Sequence, residues 1–493
     1  MKIGFDNAKY VKMQSEHIRE RIASFGGKLY LEFGGKLFDD YHASRVLPGF
    51  APDSKMRMLQ QLADQTEIVI AVNAGDIEKK RVRGDLGITY DLEVMRLIDN
   101  FRERGLYVGS VVLTRFTGQG AAESFQKHLE SQGIPVYRHY PIEGYPSDIA
   151  KIVSADGYGR NEYIKTTRSL VVVTGPGSGS GKMATCLSQI YQDHERGLES
   201  GYAKFETFPI WNIPLNHPVN VAYEAATADL NDVNMIDPFH LKAYNEVCVN
   251  YNRDVETFPV LSAMFKKIYG NCPYQSPTDK GVNMAGNCIV DDECVSAASR
   301  QEIIRRYYRA HCDLMRERAT EEEVRKIELL MSQLDIEVTE RPIVEPARKM
   351  AEDTGEPAVA VELADGRIIL GHTSKLMGAS AAVIMNALKA LAGIPKEVDL
   401  ISPTIIEPIQ KLKVGHFGSQ NPRLHSDEIL IALSICAADE EGPRLALSQL
   451  DKLAGCEVHS SVILSAVDEG VFRKLGMNLS CEPYYQTQKL YRK

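Results

Sequence analysis

The residues from Ser169 to Cys186, Ser-Leu-Val-Val-Val-Thr-Gly-Pro-Gly-Ser-Gly-Ser-Gly-Lys-Met-Ala-Thr-Cys, have the types and spacing of a phosphate-binding loop. Leu170 to Val173 read as a short buried strand, and a helix is expected from Met183 to about Tyr191. Between them, Gly175, Gly177, Gly179 and Gly181 permit backbone conformations that turn successive N–H groups toward an anion. Lys182 would add a point charge and the helix its positive N-terminal end. Ser178, Ser180 and Thr185 complete the candidate phosphate contacts.

The match departs from the P-loop pattern of glycine, four residues, Gly-Lys and then Ser or Thr. Five residues separate Gly175 from Gly181, and Pro176 stands where the first glycine belongs. Met183 follows the lysine and offers no hydroxyl to Mg²⁺; Thr185 comes two positions later. A second source of metal-binding oxygens is the segment from Ala228 to His240, where Asp229, Asp232 and Asp237 are the metal candidates. The same residue types also cap and break helices.

These residues need a framework, and the N-terminal part supplies one. Apolar runs recur from residue 28 to 175 with helix-like segments between them, the pattern of a parallel sheet covered by helices. Strands are expected at Lys28 to Phe33, Glu67 to Val72, Tyr107 to Thr114, Val136 to Tyr140 and Leu170 to Thr174. Helices are expected at Lys55 to Gln65, Asp91 to Glu103 and Ala121 to Gln132. In such a sheet ligands bind beyond the carboxyl ends of the strands. The segments there are polar and glycine-rich, and they place Lys36, Asn73, Asp76 and Arg115 as candidates for the rim of a pocket.

The fold class is α/β, in three expected parts: residues 1–235 form a parallel-sheet domain with the P-loop-like turn, 236–335 a mainly helical domain, and 336–493 an α+β domain. The middle part carries the expected helices Val255 to Tyr269, Glu293 to Tyr308 and Thr320 to Gln333, and its loop from Ser276 to Asn287 reads as a surface loop able to cover a cleft. In the last part, Asp365-Gly366 signals a hairpin, and a small-residue helix runs from Ala379 to Leu391.

Composition limits the partners. Lys and Arg number 57 against 66 Asp and Glu, a net charge of −9 that argues against a broad nucleic-acid surface and leaves small phosphorylated ligands open. No stretch is apolar for the length a membrane span requires. The first residues lack the apolar core of a secretion signal, so a cytoplasmic location is expected, with a homo-oligomer as the expected assembly. The nine cysteines, an odd number without a Cys-x-x-Cys pair, read as thiols; Cys272, Cys288, Cys294, His311 and Cys312 fit no familiar zinc spacing.

Long segments at 27–50, 83–90, 181–189, 202–211 and 225–240 resemble a family of bacterial proteins of uncharacterised function, across essentially the whole chain. The resemblance implies no activity and no catalytic residues. Some members carry the label of an ATP-dependent peptidase, but no His-Glu-x-x-His helix or Gly-x-Ser-x-Gly elbow stands in this sequence. The expected function is binding of a nucleotide or other phosphorylated small molecule, with Mg²⁺ and phosphoryl transfer or hydrolysis. Two alternatives are a non-catalytic regulatory or assembly module whose glycine loop is structural, and a metal-dependent hydrolase built on residues 229–240.

Overall fold

The computed structural model describes residues 2–34, 37–38, 40–83 and 87–486. The chain divides into two compact units, residues 2–299 and 300–493.

The first unit is built on seven strands: β1 (Leu29–Phe33), β2 (Thr66–Asn73), β3 (Tyr107–Thr114), β4 (Val136–Arg138), β5 (Leu170–Thr174), β6 (Gly201–Phe205) and β7 (Gly281–Val282). They form one sheet in the order β7-β6-β1-β5-β2-β3-β4, and every pairing is parallel. Val, Ile and Leu dominate β2, β3 and β5 because both faces of a parallel sheet are covered. The principal helices of this unit are α1 (Asn7–Ser24), α2 (Ser54–Gln60), α3 (Tyr90–Glu103), α4 (Gly120–Ser131), α5 (Lys182–Glu195), α6 (Pro238–Tyr244) and α7 (Asn252–Tyr269).

Sheet topology decides where a ligand would sit. From β2 the chain moves through α3 to β3 on one side, whereas from β5 it moves through α5 past β1 to β6 on the other. Right-handed crossovers then put α3 and α5 on opposite faces. Cys186, Leu187 and Ile190 of α5 pack with Tyr30, Val69, Val171, Val173 and Tyr202 of the sheet and with Phe258, Leu261 and Phe265 of α7. The adjacent strands β5 and β2 flank the topological switch point, the place where open α/β sheets leave a crevice at their carboxyl edge.

The stretch from Ser276 to Asn287, expected as a surface loop, contributes the edge strand β7, which pairs with Lys204 and Phe205. Two residues are too few for a periodic signal, and Gly281 has poor strand propensity. Glycine is required there because a Cβ would lie 2.5 Å from the Trp211 ring.

The second unit contains a four-stranded sheet of β8 (Ala358–Glu362), β9 (Ile368–His372), β10 (Glu457–Ser460) and β11 (Asn478–Cys481), ordered β9-β8-β10-β11. β8 and β9 form an antiparallel hairpin with Gly366 at φ +84, and β10 and β11 run parallel. The helix α8 (Ala379–Ala392) lies close on this sheet: a Cβ on Gly371 would fall 2.3 Å from the Val383 nitrogen. Small residues in α8 permit the approach. No helix among the described residues is long and apolar enough to cross a membrane.

One ion pair in this unit sets a pH dependence. His425, before the helix α9 (Ser426–Asp439), lies 3.0 Å from Asp468, which also accepts from the Ser426 hydroxyl at 2.7 Å. The hydrogen bond to Asp468 holds the imidazole above its ordinary pKa despite desolvation. A raised histidine contributes stability below the unfolded-state value of about 6.5 and loses it as pH rises through the folded value. Buried His459, pushed down by burial, has the opposite slope. The difference between wild type and His425→Gln isolates the pair: the stability advantage of wild type should shrink as pH rises above about 6.5 in thermal melts, and a constant difference would contradict the pairing.

Candidate functional site

The glycine loop follows β5 and lies against the ends of its neighbours. A Cβ on Gly175 would meet the Ala71 carbonyl at 2.3 Å, one on Gly177 the Tyr90 hydroxyl at 2.4 Å, and one on Gly181 the Thr114 side chain at 2.9 Å. Gly179 and Gly181 adopt φ +76 and +90, the left-handed region that glycine occupies without steric cost. The Thr114 hydroxyl donates to the Ser180 carbonyl at 2.8 Å, the Ser180 hydroxyl to the Gly177 carbonyl at 3.0 Å, and the Thr185 hydroxyl to the Gly181 carbonyl at 3.0 Å. Ser178 is exposed.

Gly181 is the N-cap of α5, and no side chain caps the first turn. The Lys182 ammonium folds back over the loop, donating to the Gly177 carbonyl at 3.2 Å and the Ser180 hydroxyl at 3.4 Å. Among the described residues no carboxylate lies within ion-pair distance of it. Desolvation pushes its pKa down, and the charge of Glu32 opposes that shift.

The other candidates separate into two groups. Arg115 is exposed at φ +53 at the carboxyl end of β3, and its charge reaches Tyr145, which Glu32 also influences; burial is the main cause of the raised Tyr145 pKa. Asn73 caps a short helix by accepting from Gly75 N at 2.9 Å, and Asp76 pairs with Arg81 at 3.3 Å. Lys36 lies outside the described residues. The acidic segment serves the framework: Asp229 is exposed, Asp232 is paired with Arg253 at 2.8 Å, and Asp237 caps α6 through Phe239 N and His240 N while accepting from the Thr278 hydroxyl at 2.7 Å. Among the described residues no three His, Cys, Asp or Glu side chains converge as a metal set, and all nine cysteines are free thiols.

Beside the loop stands a charged cluster that reading the sequence did not single out. Lys204 on β6 contacts Glu206 at 2.8 Å and Asp254 in the first turn of α7 at 2.7 Å. Lys280, just before β7, reaches the second Asp254 oxygen at 2.6 Å, and the Tyr251 hydroxyl donates to Asp254 at 3.1 Å. Glu32, opposite Lys204 on β1, accepts from the Tyr202 hydroxyl at 2.5 Å. Lys204 and Glu206 are two residues apart, on one face of the strand line, which is the only trace of the cluster in the sequence.

Family models match both parts of the chain: "Domain of unknown function DUF1846, N-terminal" over residues 3–335 and "Domain of unknown function DUF1846, C-terminal" over residues 339–491. The chain belongs to the DUF1846 family. Among its relatives are a UPF0371 protein of Streptococcus thermophilus, 57% identical over the full length of both chains, and one of Streptococcus sanguinis, 58% identical with the same coverage. One from Streptococcus pyogenes serotype M5 is 57% identical over 100% of this chain and 99% of its own. A solved structure titled "Structure of the Aeropyrum Pernix ORC2 protein (ADP form)" aligns over 87% of this chain and 84% of that one at 10% identity, with a TM-score of 0.16, too low to indicate a common fold.

In this DUF1846 chain the cluster separates two carboxylates by environment. Burial raises both, but Lys204 and Lys280 together pull Asp254 far below the ordinary carboxylate range, whereas Glu206 stays above it. Lys204 remains protonated because Asp254 and Glu206 outweigh its desolvation. Buried ion pairs of this kind contribute little net stability over apolar packing, and they cost heavily when one partner is lost. Lys204 and Glu32 lie near the carboxyl ends of β6 and β1 and their charges act on Lys182, which ties the cluster to the candidate site.

Proposed function

We propose that residues 2–299 bind a nucleotide or other phosphorylated small molecule at the glycine loop, with phosphoryl transfer or hydrolysis as the reaction class. The observation that carries this reading is the Lys182 ammonium, desolvated at the start of a helix without a side-chain cap, with a carbonyl and a hydroxyl of its own loop as its only acceptors among the described residues. A desolvated cation beside helix-terminal N–H groups is completed by an anion. Isothermal titration with ATP, GTP and inorganic phosphate, with and without Mg²⁺, tests it. Loss of a charge-assisted contact of about 1.5–3 kcal/mol should weaken binding about 10- to 150-fold in Lys182→Ala. Full affinity in a folded Lys182→Ala variant would overturn the reading.

A second reading, a non-catalytic module with a structural glycine loop, draws on the close approach of Gly175, Gly177 and Gly181 to Ala71, Tyr90 and Thr114. Those contacts explain three glycines without a ligand. They leave unexplained a Lys182 ammonium that has no carboxylate partner among the described residues, and this reading requires the protein to ignore every phosphate compound in a thermal-shift panel.

A further inference from the structure

We propose that Glu32 is the carboxylate that holds a divalent cation against the phosphate group bound at the glycine loop. The inference rests on the phosphate reading above and adds a metal-binding residue to it.

Three observations lead to Glu32. The positions after Lys182 supply poor metal ligands, because the Met183 side chain has no oxygen and the Thr185 hydroxyl is engaged with the Gly181 carbonyl. In the acidic segment Asp232 is held by Arg253 and Asp237 is spent on the α6 cap. Glu32 stands on β1, the strand next to the loop-bearing β5, in register with Val173, two residues before Gly175.

Its setting suits a metal ligand. Strand alternation puts Glu32 on the same face as Tyr30, which packs in the cluster of α5, so it shares that face with the helix that begins at Lys182. It is the only residue of β1 that is not fully buried. Tyr202 donates to Oε2 and orients the carboxylate, while Oε1 accepts no hydrogen bond among the described residues. Its charge acts on both Lys182 and Lys204. A hard cation such as Mg²⁺ is commonly held by one or two carboxylates together with phosphate oxygens and water, so one open carboxylate oxygen facing a bound phosphate is sufficient. Lys182 and the cation would then neutralise the phosphate from two sides.

Without a metal, Glu32 and a phosphate repel each other, and this gives the test its sign. ATP is titrated into wild type, Glu32→Gln, Tyr202→Phe and Lys182→Ala, each checked for native melting, in EDTA and then in excess Mg²⁺. Wild type should bind ATP at least about tenfold more tightly with Mg²⁺, a difference of about 1.4 kcal/mol. Glu32→Gln should lose that enhancement while binding metal-free ATP as tightly as wild type or more so, and Tyr202→Phe should lose part of it. A Mg²⁺ enhancement that survives in Glu32→Gln, or none in wild type, overturns the metal role; if Lys182→Ala still weakens ATP binding at least about tenfold, the phosphate reading stands alone. Wild-type protein that binds no ATP in either buffer overturns both.

Discussion

Asp254→Ala lowers the unfolding free energy of residues 2–299 by about 3–5 kcal/mol, the cost of stripping one partner from a buried charge cluster. Asp254 is 6% exposed and takes Lys204 on one oxygen and Lys280 on the other, and Lys280 is itself only 1% exposed. Removing the carboxylate leaves two ammonium groups with Glu206 and, for Lys204, Glu32 as the remaining nearby acids. The single tryptophan, Trp211, lies in this unit, so its fluorescence reports the transition directly in a urea melt. Asp254→Asn should lose nearly as much, because the amide preserves shape and supplies no charge. A loss below about 1 kcal/mol would mean that water screens the cluster, as it screens surface pairs. The same variant bears on the site, since a folded Asp254→Ala protein would leave Lys204 free to compete for the charge of Glu32.

Arg341→Ala should destabilise the second unit by a comparable amount, about 3–5 kcal/mol. This guanidinium is fully buried. It lies 2.7 Å from the Glu457 carboxylate and donates to the Ser480 hydroxyl at 3.0 Å and to the Asn478 and Val458 carbonyls at 3.1 and 3.3 Å, so one side chain ties β10 to β11. Burial pushes the Glu457 pKa up, and Arg341 with Arg305 brings it below its ordinary value. That shift contributes stability above the unfolded-state carboxylate pKa, and the contribution is lost as pH falls through the folded value. Arg341→Ala should therefore flatten the acid limb of the stability curve as well as lower it. Hydrogen exchange of residues 457–460 and 478–481 localises the effect. The double variant Arg341→Met/Glu457→Leu should regain most of the loss, because two apolar side chains can replace a buried ion pair. No recovery would assign the loss to the backbone carbonyls that Arg341 satisfies, which neither Met nor Leu can bond.

The elements that hold the site were the legible part of this protein. The strands Tyr107–Thr114 and Leu170–Thr174 have the bounds their apolar runs indicate, since a β-branched stretch that ends in a turn admits few alternatives. The helix after Lys182 runs to Glu195, four residues past its expected end, because Gln192 and Asp193 are buried and tethered: Gln192 donates to the Tyr158 and Asn161 carbonyls, and Asp193 accepts from Tyr30 and Tyr163. Those partners come from distant segments. The acidic run from Asp229 to Asp237 shows the limit of reading types alone. The same carboxylates suit a cation, an arginine or a helix N-terminus, and tertiary packing assigned Asp232 to Arg253 and Asp237 to a cap.

The sequence by itself determined an α/β chain with a parallel-sheet framework, a glycine turn between β5 and α5, a C-terminal hairpin and membership of an uncharacterised family. These follow from local signals, such as hydrophobic period, turn residues and contiguous motifs, that need no knowledge of distant contacts. The tertiary structure alone decided the strand order that sets the loop at the switch point, and the company Glu32 keeps with Tyr202 from a strand 170 residues away. It also decided the meeting of Lys204 with Asp254 across 50 residues and of Arg341 with Ser480 across 139. Charges at such separations carry no periodicity. What joins them is the closing of a sheet whose apolar faces must be buried, and the polar side chains at its carboxyl edge are brought together as a consequence.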